Sequence, residues 1–244
     1  MKGKLYIVGL GPGGKGDMTL RAVKAIEDSD IIVGYTTYVN LIREMIRDKR
    51  VITTGMRRER ERCEKAVFCA ERGNRVCIVS SGDPGVYGMA GLVLEIIAKQ
   101  NSKIEVEIIP GVTSATAGGA LLGAPLINDF AVISLSDLLT PWDVIQQRIR
   151  AAARSDFVIV LYNPMSKKRR KHIEKAREII LNCRKPETPV GIVKNIGREG
   201  ETVIVTDLQH MLEYQIDMVT TVIIGNSSTF AENDRMITPR GYEV

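Results

Sequence analysis

The chain has 244 residues, 44% of them hydrophobic and 26% charged, values that permit a sizeable core and exclude the disordered and fibrous classes. It has no apolar run of about 18 residues, and Met1-Lys2-Gly3-Lys4-Leu5 leads straight into a strand-like segment, so neither a membrane span nor a signal peptide is expected and the location read from this is cytoplasmic. A net charge of +5 favours an anionic partner, which leaves nucleic acid, a membrane surface and a polycarboxylate substrate open.

Short β-branched apolar runs alternate with helical patterns along the chain. Leu5–Gly9 reads as a strand, Thr19–Asp28 as a helix after a glycine loop, and Asp30–Gly34 as a second strand. Arg58–Arg72 reads as a helix stopped by Gly73. Arg75–Ser80 is then a strand, Met89–Lys99 a helix and Ile104–Ile109 a strand, an order that implies a largely parallel sheet. A small-residue helix follows over Thr113–Leu122. In the second half Ala131–Leu135 is a strand, and Thr140 is read as the cap of a helix with Pro141 in its first turn, running to about Ala153. Phe157–Tyr162 is a strand, Lys167–Cys183 a charged helix and Val190–Val193 a strand. Gly197–Gly200 turns the chain into a hairpin with Thr202–Val205, and Thr220–Ile224 closes the set. The expected fold is therefore α/β in two lobes, residues 1–112 with a parallel sheet and 113–244 with a mixed one, with a cleft between them.

Three strand–turn–helix segments carry the chemistry. Gly9-Leu10-Gly11-Pro12-Gly13-Gly14 matches GxGxxG, the dinucleotide fingerprint. However, Lys15-Gly16-Asp17 separates it from the helix, Pro12 removes a backbone donor, and the second strand ends in Val33-Gly34-Tyr35 rather than an acid. Ser80-Ser81-Gly82-Asp83-Pro84-Gly85-Val86-Tyr87-Gly88 presents backbone at a strand's carboxyl end, where open α/β sheets bind ligands; a plain Asp turn is the alternative. Pro110-Gly111-Val112-Thr113-Ser114-Ala115 is the third, with Thr or Ser equally readable as a helix cap. The four cysteines, Cys63, Cys69, Cys77 and Cys183, form no CxxC pair and only two histidines are present, so no metal site is expected.

Together, the Gly9–Gly13 loop, the Ser81–Gly88 segment and the Pro110–Ala115 turn resemble the tetrapyrrole (corrin/porphyrin) methylase family. Within it, five segments are similar to the precorrin-3B C(17)-methyltransferase and cobalt-factor III methyltransferase branch. These are Gly55-Met56-Arg57, the stretch from Ser80 to Gly91, Phe130 to Trp142, Leu161-Tyr162-Asn163-Pro164 and Asn195–Glu201. The resemblance implies the two-lobed class III SAM-dependent methyltransferase fold, with S-adenosylmethionine (SAM) folded in the cleft and S-adenosylhomocysteine as product. It further implies a polycarboxylate tetrapyrrole methylated at carbon 17 with ring contraction, and a homodimer. Carried over residue by residue, it places SAM against Pro12, Gly82, Asp83, Val86, Thr113, Ser114 and Asn163. Where the family often has His-Asp-Phe, this chain has Asn128-Asp129-Phe130, and Asn is neither acid nor base at neutral pH.

Methyl transfer from a sulfonium needs alignment more than a dedicated nucleophile. Ring contraction needs a proton acceptor or donor and stabilisation of developing oxyanion character. Asp129, Ser134, Ser136 and Asp137 are the candidates, each equally readable as a capping or turn residue, and Arg57, Arg58 and Arg198 are candidate partners for substrate carboxylates. The basic run Lys167–Lys171 lacks interleaved aromatics, which argues against nucleic acid. A substrate-facing rim and a solvated turn both fit that run. An NAD-dependent oxidoreductase, a methyltransferase acting on another corrin position or on RNA, and a silent binding protein remain the alternative classes.

Overall fold

The computed structural model describes residues 3–166 and 169–243. It divides into two compact units, one running to Thr113 and the other beginning at Ser114.

The first unit holds β1 (Lys4–Gly9), α1 (Leu20–Glu27), β2 (Ile31–Tyr35), α2 (Thr36–Leu41), β3 (Arg50–Thr54), α3 (Glu59–Glu71), β4 (Arg75–Ser80), α4 (Ala90–Gln100) and β5 (Glu105–Ile109). The strands pair in the order β3-β2-β4-β1-β5, every pair parallel. The central strands are largely apolar between their end residues because both faces are covered. Leu5, Ile7, Val33 and Ile78 pack with Val67 and Val93 of α3 and α4 on one face, and Val8, Ile32 and Val79 pack with Ile26 and Val39 on the other. Thr19 caps α1 by accepting from the Ala22 N–H at 3.1 Å, and Gly73, at φ 87°, ends α3. Sequence periodicity passed over β3 and α2. Arg50–Thr54 is an edge strand exposed along most of its length, and Thr36–Leu41 is a short helix of β-branched and polar residues, so neither carries a long apolar pattern.

The second unit contains α5 (Ser114–Leu122), β6 (Gly123–Ala124), β7 (Phe130–Ser134), α6 (Trp142–Arg154), β8 (Val158–Tyr162), α7 (Lys171–Leu181), β9 (Pro189–Lys194), β10 (Thr202–Asp207), β11 (Thr220–Ile224), β12 (Phe230–Glu232) and β13 (Arg235–Ile237). Its main sheet runs β10-β9-β11-β8-β7; β7 and β8 are parallel and the other neighbours antiparallel, which makes it mixed. A small sheet, β12-β13-β6, was not legible from sequence because its strands have three residues or fewer. Two local expectations are corrected. Pro141, not Thr140, occupies the cap position of α6, without a side-chain cap. The helix expected from Lys167 begins at Lys171; Lys167 and Lys168 lie outside the described residues, and Arg169 turns inward with 9% of its surface exposed.

An ion pair with a buried guanidinium and a half-exposed carboxylate braces this unit. Arg184 pairs with Asp156, whose carboxylate also accepts from the Ser227 N–H at 3.0 Å and its hydroxyl at 2.6 Å. Among the described residues no helix is long and apolar enough to cross a membrane, and no group of three or more His, Cys, Asp or Glu is placed to hold a metal ion.

Cys63, Cys69 and Cys77 are buried and Cys183 is exposed. Burial pushes the Cys63 thiol up to about 12 and raises that of Cys77 as well. Because the thiolate is the reactive species, the native protein at pH 8 is expected to take up an alkylating reagent at Cys183 alone. Counting adducts by mass spectrometry, before and after denaturation, checks this; rapid native labelling of Cys63 or Cys77 would contradict the packing of α3 and β4.

Candidate cofactor and substrate site

In a parallel sheet all the loops that follow the strands emerge on one edge. The turns after β1, β4 and β5, neighbours in the order β4-β1-β5, meet through their main chains. Gly11 and Gly82 form an isolated antiparallel bridge, with Gly11 N–H donating to Gly82 O at 3.2 Å and Gly82 N–H to Gly11 O at 2.7 Å. Both need positive φ, 73° and 65°, which glycine adopts without steric cost. The Gly111 backbone comes so close that a Cβ there would sit 2.2 Å from Gly82 O and 2.8 Å from Gly9 C.

Asp83 stitches the turns further. Its Oδ1 accepts from the Gly85 N–H at 2.7 Å, and its Oδ2 from the Gly111 N–H at 3.0 Å. The carboxylate therefore fixes its own turn and the one after β5 at once. Around it Pro12 and Gly82 are buried, while Val86 and Thr113 are half-buried. Of the residues expected to contact SAM, the first unit thus brings together Pro12, Gly82, Asp83, Val86 and Thr113 on one edge of one sheet.

Ser114 and Asn163 belong to the second unit. Ser114 opens α5, and the next N–H, that of Ala115, donates to the Tyr162 hydroxyl at 2.6 Å. Asn163, directly after β8, takes a left-handed backbone at φ 51°, which Asn tolerates better than most residues. Its Nδ2 donates to Ser134 Oγ at 2.9 Å, and that oxygen also accepts from the Ser136 N–H at 3.2 Å. The ends of β7 and β8 are tied together by these contacts. Asp137 follows, its carboxylate 3.6 Å from Arg169 Nε and 3.2 Å from His172 Nε2. Arg169 also donates to Leu135 O at 2.8 Å, and Trp142 packs edge-on against His172 at 4.1 Å between centroids.

The residues expected to carry acid–base work are not all together. Ser134 ends β7 and Ser136 and Asp137 follow it, whereas Asp129 precedes the strand's first residue. A strand's length, roughly 17 Å, separates the two groups. Asn128 serves the fold: its Nδ2 donates to Pro239 O at 2.9 Å. Sequence reasoning did not single out Arg169 as a buried ligand of Asp137, nor Tyr162 as the acceptor for α5. Arg169 was hidden in a basic run, although the isolated aromatic Trp142 four residues after Leu138 was a usable pointer to packing near His172.

SAM carries a positive sulfonium and no phosphate, and the first unit's edge suits it. Ser80 to Gly91 contains one charged residue, Asp83, and the segments Gly9–Gly14 and Ile109–Thr113 contain none. The nearby Lys15 is exposed and pairs with Glu44 at 2.6 Å. A pyrophosphate would meet an acidic carboxylate and no cation there, so the geometry disfavours the dinucleotide reading of the glycine loop. A neutral, backbone-lined surface beside a carboxylate fits a zwitterionic cation-bearing ligand.

A family model described as Tetrapyrrole (Corrin/Porphyrin) Methylases matches residues 4–212. The chain is 50% identical over 247 residues to a cobalt-factor III methyltransferase of Priestia megaterium, covering 100% of this chain and 46% of that protein. It is 49% identical over 240 residues to a probable cobalt-factor III C(17)-methyltransferase of Salmonella typhimurium, covering 98% of this chain and 100% of the relative. The chain thus spans about half the length of the first relative and the whole of the second. Among solved structures, that of the methyltransferase CobJ superposes with a TM-score of 0.91 at 34% identity, covering 97% of this chain and 100% of CobJ. With its parallel five-stranded sheet followed by a mixed one, the chain has the α/β fold of the class III methyltransferases and belongs to the tetrapyrrole (corrin/porphyrin) methylase family.

Proposed function

We propose that this protein transfers a methyl group from SAM to carbon 17 of a precorrin-3B-type macrocycle in cobalamin biosynthesis, with contraction of the ring. The observation that carries the reading is the 49% identity along the full length of the Salmonella relative. The neutral, stitched edge of the first unit supports it chemically. Cobalt-factor III is the favoured form of the substrate, since both relatives are named for it. The protein works in the cytoplasm as a homodimer.

SAM, when bound, supplies the methyl on a sulfonium that is already activated. Pro12, Gly82, Asp83, Val86, Thr113, Ser114 and Asn163 hold it, the first unit's turns through main chain held rigid by Asp83. Orientation is what the chain contributes to methyl transfer, and such alignment is worth up to roughly 7–11 kcal/mol. For the proton steps of ring contraction, Asp137 is the best placed carboxylate, flanked by Arg169 and His172 and set beside Ser134 and Ser136. Asp129, a strand away, stands apart from this group.

The test is calorimetric titration with S-adenosylhomocysteine and with NAD, followed by incubation with SAM and cobalt-factor III under anaerobic conditions. Binding of S-adenosylhomocysteine alone, and a product heavier by one methyl group, are expected. NAD binding without S-adenosylhomocysteine binding would overturn the reading.

A further inference from the structure

Two cationic side chains stand beside the Asp137 carboxylate, and they differ in what they can give it. Arg169 spends its guanidinium elsewhere. Its Nη1 donates to Leu135 O at 2.8 Å and to Asn163 O at 3.4 Å, and its Nη2 to Met218 Sδ at 3.7 Å. Only Nε faces Asp137 Oδ1, at 3.6 Å, which is too far for a hydrogen bond. Arg169 therefore ties together the segments that follow β7 and β8 and lends Asp137 a fixed charge. A guanidinium stays protonated, so it cannot respond to a proton arriving on the carboxylate.

His172 stands differently. It is the second residue of α7, and its Nε2 lies 3.2 Å from Asp137 Oδ2. The distance suits a hydrogen bond but the alignment does not: Nε2 is sealed from solvent and has no hydrogen-bond partner. A buried polar nitrogen left unpaired is costly, and a small turn of the Asp137 carboxylate would satisfy it. The loop after β7 sets Asp137 against the ring, with Arg169 at that carboxylate's other oxygen. From α6 the facing group is Trp142, which carries no charge and packs edge-on at 4.1 Å between centroids. The free N–H groups at the start of α7 oppose a positive ring. A second proton on the imidazole thus depends on the charge of Asp137.

We propose that His172 is a positioning residue for Asp137: as an imidazolium it donates Nε2–H to Oδ2 and holds the carboxylate ionised and oriented to take a proton from the substrate. This deepens the methyltransferase reading and rests on it. His172 keeps its own proton throughout. The proton that moves passes from the substrate to Asp137 Oδ1 and then to water. Once Asp137 is a neutral carboxyl its attraction to the imidazolium is gone, which frees it to turn and release that proton. Arg169, held by three neutral acceptors, stays in place meanwhile.

The experiment uses the full chain and has two arms. The chain has two histidines, so its imidazole proton–nitrogen correlation spectrum holds two rings, and His172→Gln tells them apart. At neutral pH Nε2 of His172 is expected to carry a proton, and Asp137→Asn is expected to move the titration of that ring to lower pH. A bare Nε2, or a titration that Asp137→Asn leaves where it was, overturns the proposal. The second arm is turnover of cobalt-factor III with SAM, beside S-adenosylhomocysteine calorimetry and thermal melts. His172→Phe is expected to lower kcat about tenfold or more, with KM and S-adenosylhomocysteine affinity unchanged. His172→Gln, a neutral donor, should recover part of that loss. The parent should lose turnover as pH rises through the range in which imidazoles give up their proton, and His172→Gln should lack that limb. Lowered melting temperatures with an unchanged pH profile would make His172 merely structural and overturn the proposal. A parent that leaves cobalt-factor III unchanged and binds no S-adenosylhomocysteine refutes the methyltransferase reading beneath it, while the spectrum still decides the pairing.

Discussion

Gly111→Ala is expected to destabilise the protein by roughly 2–4 kcal/mol and to remove measurable S-adenosylhomocysteine binding. The new Cβ would lie 2.2 Å from Gly82 O, 2.8 Å from Gly9 C and 2.9 Å from Gly9 Cα, and both neighbours are main chain that no rotamer change can move aside. Relief requires the turn after β5 to retreat from the turn after β4. That retreat breaks the Gly111 N–H bond to Asp83 and strains the Gly11–Gly82 bridge. Gly91→Ala is the matched control with the opposite sign. Gly91 is an exposed residue in α4 whose Cβ would meet nothing within 4 Å, so alanine there should stabilise by about 0.5–1 kcal/mol. Urea melts of the two variants decide the matter. A Gly111→Ala protein as stable as the parent would mean that the three turns do not hold one another.

The second large effect concerns charge. Asp83→Asn should cost about 1.5–3 kcal/mol of local stability and weaken S-adenosylhomocysteine binding roughly 10- to 100-fold. A carboxylate presents an acceptor to each of the Gly85 and Gly111 N–H groups. An amide of the same shape presents one acceptor and one donor, so whichever way it flips, one backbone N–H faces an NH2. Titration calorimetry beside urea denaturation separates the two consequences. Unchanged affinity would show that the Gly11–Gly82 bridge alone shapes the surface and that Asp83 is a simple turn residue.

Much of the fold was legible because strand and helix periods are local. The β1, β4, β5, β8 and β11 strands were each placed to within a residue or two of their ends. What stayed hidden was either short or exposed, as with β3 and the three small strands of the last sheet, or set by partners distant in sequence. The role of Asp83 depends on an N–H 28 residues away, which no spacing rule reveals. Asp129 shows the converse. It stands five residues before Ser134 in sequence, yet a strand running between them turns that closeness into separation, because extended chain carries neighbours apart fastest. Asp137 and Arg169 met for the opposite reason, each following one of two adjacent parallel strands, β7 and β8.

The pairing of β13 with β6 has a consequence for biosynthesis. Met236 and Ile237 lie beside Gly123 and Ala124, and the Thr238 hydroxyl donates to Pro125 O at 2.7 Å, joining segments made more than a hundred residues apart. The first unit has all of its strands once Thr113 has left the ribosome, whereas the second must hold β6 unpaired until β13 emerges. At ~5–20 residues per second that wait lasts roughly 6–23 s, far longer than the microseconds a hairpin needs to form. Translation thus imposes a sequence of assembly, with the glycine-turn edge ready first. The exposed rim of α5 and β6 is meanwhile the stretch on which a ribosome-associated chaperone has the longest time to act.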